Sequence, residues 1–167
     1  MKPAVVDTNV PIVANGRADG PTGSGIPTVE CRLAAIDFLE SLLKDGRVLL
    51  DLAGEIQVEY GRHLRPAGQP GVGDRFFLAV LHSAPQRVER IDLPKAPDGS
   101  FADFPVDAEL ARFDPSDRKF VALSRRAKAP VVVATDSDWV ESKAPLTRNG
   151  VKIDFLCGCD TKTWFTA

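Results

Sequence analysis

Two short β-branched runs constrain this chain more than any other feature. The first, Ala4-Val5-Val6, ends in Asp7-Thr8-Asn9. The second, Val131-Val132-Val133-Ala134, ends in Thr135-Asp136-Ser137-Asp138. Apolar runs of this length read as buried strands. A carboxylate at the tip of such a strand is carried by the backbone to one edge of the sheet. Two parallel strands carry both acids to the same edge, which suits an acidic metal site.

The length of 167 residues favours a single domain spanning 1–167. Hydrophobic content of 44% and charged content of 26% are those of an ordinary globular chain. A formal net charge of -2 excludes a protein that coats nucleic acid electrostatically. It leaves room for a nuclease whose carboxylates are neutralised by bound metal. Cys31, Cys157 and Cys159 are too few and odd in number for a disulfide framework, so they read as structural or incidental thiols. Cys157-Gly158-Cys159 hints only weakly at a metal site, because no second pair completes four ligands. No signal peptide is read at the N-terminus. No apolar run approaches the roughly 20 residues of a membrane span. The cytoplasm is the default expectation.

Strand and helix patterns alternate along the chain. Pro3–Val6 predicts a strand. Residues 15–27 (NGRADGPTGSGIP) predict a mobile loop, and Thr28 predicts the N-cap of a helix ended by Asp45-Gly46. Leu33, Ile36, Phe38, Leu39, Leu42 and Leu43 supply its apolar positions. Arg47–Leu50 predicts a strand closed by Asp51, which is expected to cap a helix over Ala53–Leu64. Asp74–His82 predicts a third helix, and Arg87–Leu93 a strand or extended arm. Val106–Phe113 predicts a short helix, and Asp114-Pro115-Ser116-Asp117 the start of one running from Pro115 to Lys128. After the strand over Val131–Ala134, Trp139–Leu146 predicts a last short helix and Val151–Leu156 a closing strand. The alternation predicts an α/β fold with a parallel central sheet.

Asp7 and Asp136 follow buried strands, Asp117 opens a late helix, and Glu59 sits on the second helix. Acids gathered this closely repel one another, and a divalent cation with hard oxygen ligands, Mg²⁺ or Mn²⁺, removes the penalty. Each residue also has a simpler role. Asp7 can close a turn, Asp136 and Asp138 can cap a helix, and Asp117 can complement a helix dipole. Asp114 is the better N-cap of its pair. Glu59 can be a solvated charge, with Glu55 one turn earlier as its rival.

These motifs resemble PIN-domain ribonucleases, which include the VapC-type toxins of bacterial toxin–antitoxin pairs. The resemblance rests on Val5-Val6-Asp7-Thr8-Asn9-Val10, Val58-Glu59-Tyr60-Gly61-Arg62-His63-Leu64, Asp117-Arg118-Lys119-Phe120-Val121-Ala122-Leu123 and Val132-Val133-Ala134-Thr135-Asp136-Ser137-Asp138. Their order covers nearly the whole chain. The resemblance implies a three-layer α/β/α sandwich with a mostly parallel sheet. It implies Mg²⁺- or Mn²⁺-dependent hydrolysis of RNA phosphodiesters by the quartet Asp7, Glu59, Asp117 and Asp136. Asn9 and Thr135 would be polar supports and Asp138 an accessory ligand. RNA would be the substrate, and a small antitoxin protein or a second copy of the chain a partner. Residues 15–27, 87–105 and 157–167 go beyond the small toxins of that family.

A phosphate-holding surface needs cations near the acids. Arg62 and Arg65 follow Glu59, Arg118 and Lys119 adjoin Asp117, and Arg17 lies in the Gly-rich loop. His63 and His82 read as structural, since a metal-activated water needs no histidine base. Phe76, Phe77 and Phe120 fit a core better than a stacking surface, and no basic–aromatic interleaving appears in the linear sequence. Two other classes remain open. A haloacid-dehalogenase-type phosphatase also begins with a strand and a nucleophilic Asp, but wants a second Asp where this chain has Asn9. A non-catalytic binding module of the same fold is the other.

Overall fold

The computed structural model describes residues 2–17, 25–82 and 84–166. Five strands, β1 (Pro3–Val6), β2 (Arg47–Asp51), β3 (Val88–Ile91), β4 (Val131–Val133) and β5 (Ile153–Phe155), pair wholly in parallel in the order β3-β2-β1-β4-β5. Seven α-helices lie among the described residues: α1 (Asn9–Ala14), α2 (Val29–Asp45), α3 (Glu55–His63), α4 (Val72–His82), α5 (Arg118–Ala127), α6 (Ser137–Glu141) and α7 (Lys143–Arg148). The architecture is a three-layer α/β/α sandwich; the strand–helix alternation predicts its parallel sheet, and the family resemblance implies its layers. Helices α1, α2 and α4 pack on one another, and α5 packs on β1 and β2 with α3 beside it.

The all-valine strand β4 and the centre of β1 are fully buried, so neither can alternate polar and apolar residues. Val5 pairs with Val131 and Val6 with Val132, and the Asp7 amide donates to the Val132 carbonyl at 3.0 Å. From β1 the chain adds β2 and β3 on one side, then crosses back to add β4 and β5 on the other. The strand order therefore reverses between β1 and β4. Open α/β sheets bind ligands in the crevice at such a reversal, beyond the carboxyl ends of the strands. Asp7 and Asp136 flank that crevice.

Helix ends follow local chemistry. The Thr28 side chain accepts from the Cys31 amide at 3.2 Å, and Gly46 terminates α2. Asp51 accepts from the amides of Glu55 (2.8 Å) and Ile56 (2.9 Å), capping α3 as expected. The buried stripe of α2 is Cys31, Ala35, Leu39 and Leu42, whereas Leu33 is half exposed. The apolar spacing found the helix but placed Leu33 on the wrong side of its stripe. Gly73 marks a close approach: a Cβ there would lie 1.9 Å from the Pro11 carbonyl oxygen of α1. Nearby, Asn15 donates to Asp74 (3.0 Å) and accepts from the Gly73 amide (2.9 Å), tying α1 to α4.

Several boundaries differ from expectation. Val106–Phe113 holds only a 3-10 turn at Ala108–Leu110, capped by Asp107. The segment before α5 opens as a 3-10 turn, Pro115–Asp117, capped by Asp114. The last helix is two, α6 and α7, broken at Ser142. Residues 18–24 of the Gly-rich loop lie outside the described residues, while Pro27 bridges Phe165.

The thiol reading of the cysteines is corrected. Cys31, in the first turn of α2, and Cys157, just beyond β5, form a disulfide with a Cα–Cα distance of 5.0 Å. Only Cys159 is free. The pairing depends on α2 and the tail meeting across 126 residues, which the spacing of three cysteines does not reveal. Among the described residues, no helix is long and apolar enough to cross a membrane.

Candidate metal centre

The parallel pairing of β1 and β4 brings two strand-end acids together, and α5 brings a third. One carboxylate oxygen from each of Asp7, Asp117 and Asp136 lies within 4.8 Å of the others. Asp114, Asp117 and Asp138 meet the same criterion, so Asp117 belongs to both groups. Five acids thus cluster in a way that can bind a metal ion. Asp7 and Asp117 are buried, Asp114 and Asp136 half-buried, and Asp138 exposed.

Their electrostatics follow from that placement. Burial raises the Asp7 carboxyl well above its ordinary value, and the charges of Asp117, Asp136 and Glu59 add to the rise. The Asn9 amide, 3.3 Å from Asp7 Oδ2, opposes it only in part. Asp117 is pushed up to about 8 by burial, then by Asp136, Asp114 and Glu59, against the pull of Lys119. Asp136 rises to about 6, first through burial, although the Asp138 amide stabilises its charged form. Without a counter-ion, this cluster relieves its repulsion by holding protons.

Some of the simpler roles coexist with the cluster. Asp136 caps α6 through the Asp138 amide (3.0 Å). Asp114 caps its turn through the amide and hydroxyl of Ser116, both at 2.9 Å. A carboxylate has two oxygens, so one can cap while the other faces a ligand. Asp114 was expected only as a cap. Its position three residues before Asp117 is the signal that it shares the same tight turn.

Glu59 stands beside the cluster rather than inside either group. Its carboxylate accepts from the Thr8 hydroxyl and pairs with Lys119 Nζ at 3.1 Å. Lys119 also donates to the Ser116 carbonyl. The rival Glu55 belongs to neither acidic group and is paired with Lys95 at 3.0 Å. Next to Glu59, Tyr60 donates its hydroxyl to the Val6 carbonyl at 2.6 Å, fixing α3 against the end of β1. Burial, then the charges of Asp7, Glu59 and Asp51, raise that phenol well above its ordinary value. Sequence reading gave Tyr60 no part in the site.

Asn9 and Thr135 clasp each other across the mouth of the sheet. Asn9 Nδ2 donates to Thr135 Oγ1 at 3.0 Å, and Asn9 Oδ1 accepts from the Thr135 amide. They tie the loop after β1 to the loop after β4.

The expected cations divide. Arg62 and Arg65 are exposed. Arg118 donates to the carbonyls of Ala111 and Phe113, each at 3.0 Å through Nη2, and lies over the Phe104 ring. Its guanidinium therefore braces the preceding loop. Lys119 is buried in its pair with Glu59. Asp51, though buried, belongs to the cap of α3 and to neither acidic group.

Comparisons with protein-family models, with curated proteins and with solved structures return no match for this chain.

Proposed function

We propose that the protein is a metal-dependent ribonuclease of PIN type. The observation that carries this reading is the convergence of Asp7, Asp117 and Asp136 at the reversal of strand order, within 4.8 Å. An all-carboxylate donor set suits a hard cation such as Mg²⁺ or Mn²⁺. The residues fit that ion. Three mutually repelling, largely desolvated acids are what a divalent charge stabilises. Asp7, Asp117 and Asp136 would hold it, with Asp114 and Asp138 alongside. When bound, the ion would neutralise charge on a phosphodiester and lower the pKa of a water.

The chain's own residues supply position. Tyr60 and the Asn9–Thr135 clasp hold the two strand ends. Glu59, held by Thr8 and Lys119, presents a fourth acid to the same space and keeps a cation beside Asp117. Arg62 and Arg65 lie outside that frame, free for phosphate oxygens. The phosphatase alternative lacks support, because Asn9 occupies the place of its second acid and is engaged by Thr135. A toxin role would add an antitoxin or a second copy as partner.

The test is cleavage of single-stranded RNA with Mn²⁺. The wild type is expected to cut, with activity lost on chelation and reduced at least a hundredfold in Asp7→Asn. Cleavage that survives chelation or Asp7→Asn would sink the reading.

A further inference from the structure

Residues 94–105 form a tight excursion tied to α3 through Lys95 and Glu55. The Ala96 amide donates to the Ser100 carbonyl at 2.7 Å, and the Ala102 amide to the Pro94 carbonyl at 2.9 Å. Lys95 and Phe101 face each other as an antiparallel bridge. Lys95 Nζ, held by Glu55, lies 5.1 Å from the centroid of the Phe101 ring. The ring is therefore braced, yet only half-buried.

Phe101 borders two cavities. One, of about 340 Å³, is lined by Phe101, Val58, Arg62, Lys119 and two carboxylates, Glu59 and the Lys95-paired Glu55. The other, of about 580 Å³, lies on Phe101, Phe104, Val106 and Arg118. Both reach Pro115, and the first also reaches the Glu59–Lys119 pair that stands beside the acidic cluster. Both volumes suit a small-molecule-sized group. The Arg62 side chain has no hydrogen-bond or ion-pair partner among the described residues and lines the first cavity.

Aromatic faces with nearby cations are how proteins hold unpaired nucleobases, because every base has a π-face and every nucleotide a phosphate. We propose that Phe101 is the stacking platform of a nucleobase subsite for single-stranded RNA. The base of a nucleotide next to the scissile phosphate lies against Phe101 in the first cavity, and Arg62 meets its phosphate. The proposal rests on the ribonuclease reading for the direction of the strand. Its binding step can be measured without any cleavage. A paired base is stacked within its duplex and cannot reach this ring, so the subsite selects unpaired RNA. The interleaving of cations and aromatics that the linear sequence lacks is assembled here from three separated segments.

The experiment is fluorescence anisotropy with a labelled oligouridine of about ten nucleotides, with Ca²⁺ in place of Mn²⁺. Phe101→Ala is expected to weaken binding about tenfold, within the range of one base–aromatic stack. Phe101→Tyr retains it, and the indole emission of Phe101→Trp is quenched by the RNA. A duplex of matching length binds wild type and Phe101→Ala alike. Melting curves establish that each variant is folded. The proposal is overturned if the wild type binds no single strand, if Phe101→Ala binds it as the wild type does, or if Phe101→Ala weakens duplex binding equally. Phe101-dependent binding without Mn²⁺-dependent cleavage would keep the subsite and reject the ribonuclease. Cleavage with Phe101-independent binding would do the reverse.

Discussion

Asp117 concentrates the physics of the site. It is shared by both acidic groups, buried, and raised to about 8. Unfolded, the same carboxyl ionises near 3.8. Between these values the folded chain binds more protons than the unfolded one, and Asp136, raised to about 6, contributes over the lower part of the range. Stability from these groups is therefore present below about pH 4 and lost as pH rises toward 8. Melting in chelator should show a midpoint that falls across this window. On the proposed reading, Mn²⁺ at the upper end should raise it by several degrees, because a ligand of the folded state alone stabilises that state. Asp117→Asn should flatten the slope in chelator. A midpoint that rises with pH and ignores Mn²⁺ would contradict this. Asp7, Asp117 and Asp136 were legible as strand tips and a helix start, because those positions fix where a side chain goes. The ion pair of Glu59 with Lys119 was not, since it joins α3 to α5 across 60 residues.

At the scale of elements, the close fit of α1 and α4 rests on one missing methyl group. Gly73→Ala places a Cβ against the backbone oxygen of Pro11, which no rotamer change can relieve. The helices must separate, breaking the Asn15–Asp74 contacts with them. A loss of roughly 1–3 kcal/mol or more is expected by denaturant titration, on the scale of overpacked cores. Gly73→Ser should be no better. The elements themselves were mostly readable, since apolar runs and caps are local signals. The failures share a cause. Val106–Phe113 and the Pro115 turn are ordered by tertiary contacts, including the Arg118 clamp on Ala111 and Phe113, so local pattern overstated them as helix. On α2, Ala35 is on the buried face where a larger residue would be expected, and Leu33 is not. The stripe is set by how closely α1 packs, which only the assembled fold determines.

For the whole molecule, topology explains why the acids meet. A sheet that grows from β1 in both directions leaves its crevice between β1 and β4, with Asp7 directly after β1 and Asp136 three residues beyond β4. The alternation of strands and helices made that architecture legible; the crossing order came only with the pairing. The disulfide was invisible in sequence because it joins the ends of the topology. Cys157→Ser should lower stability by about 2–5 kcal/mol, as removal of a bridge across a long loop does. The expected readout is a lower denaturant midpoint with a steeper slope, because the unbridged unfolded chain exposes more surface. Equal stability of oxidised and reduced protein would contradict it.

The bridge from Cys31 to Cys157 also turns most of the chain into a covalent ring. Helices α2 to α7 and strands β2 to β5 lie inside it, while β1 lies outside with Asp7 at its tip. One peptide bond cut anywhere inside the ring leaves a single molecule on a non-reducing gel. One cut between Asp7 and Cys31 sheds a small N-terminal fragment on denaturation. The acid most buried in the cluster is thus the one whose strand is kept in place by hydrogen bonds and packing alone.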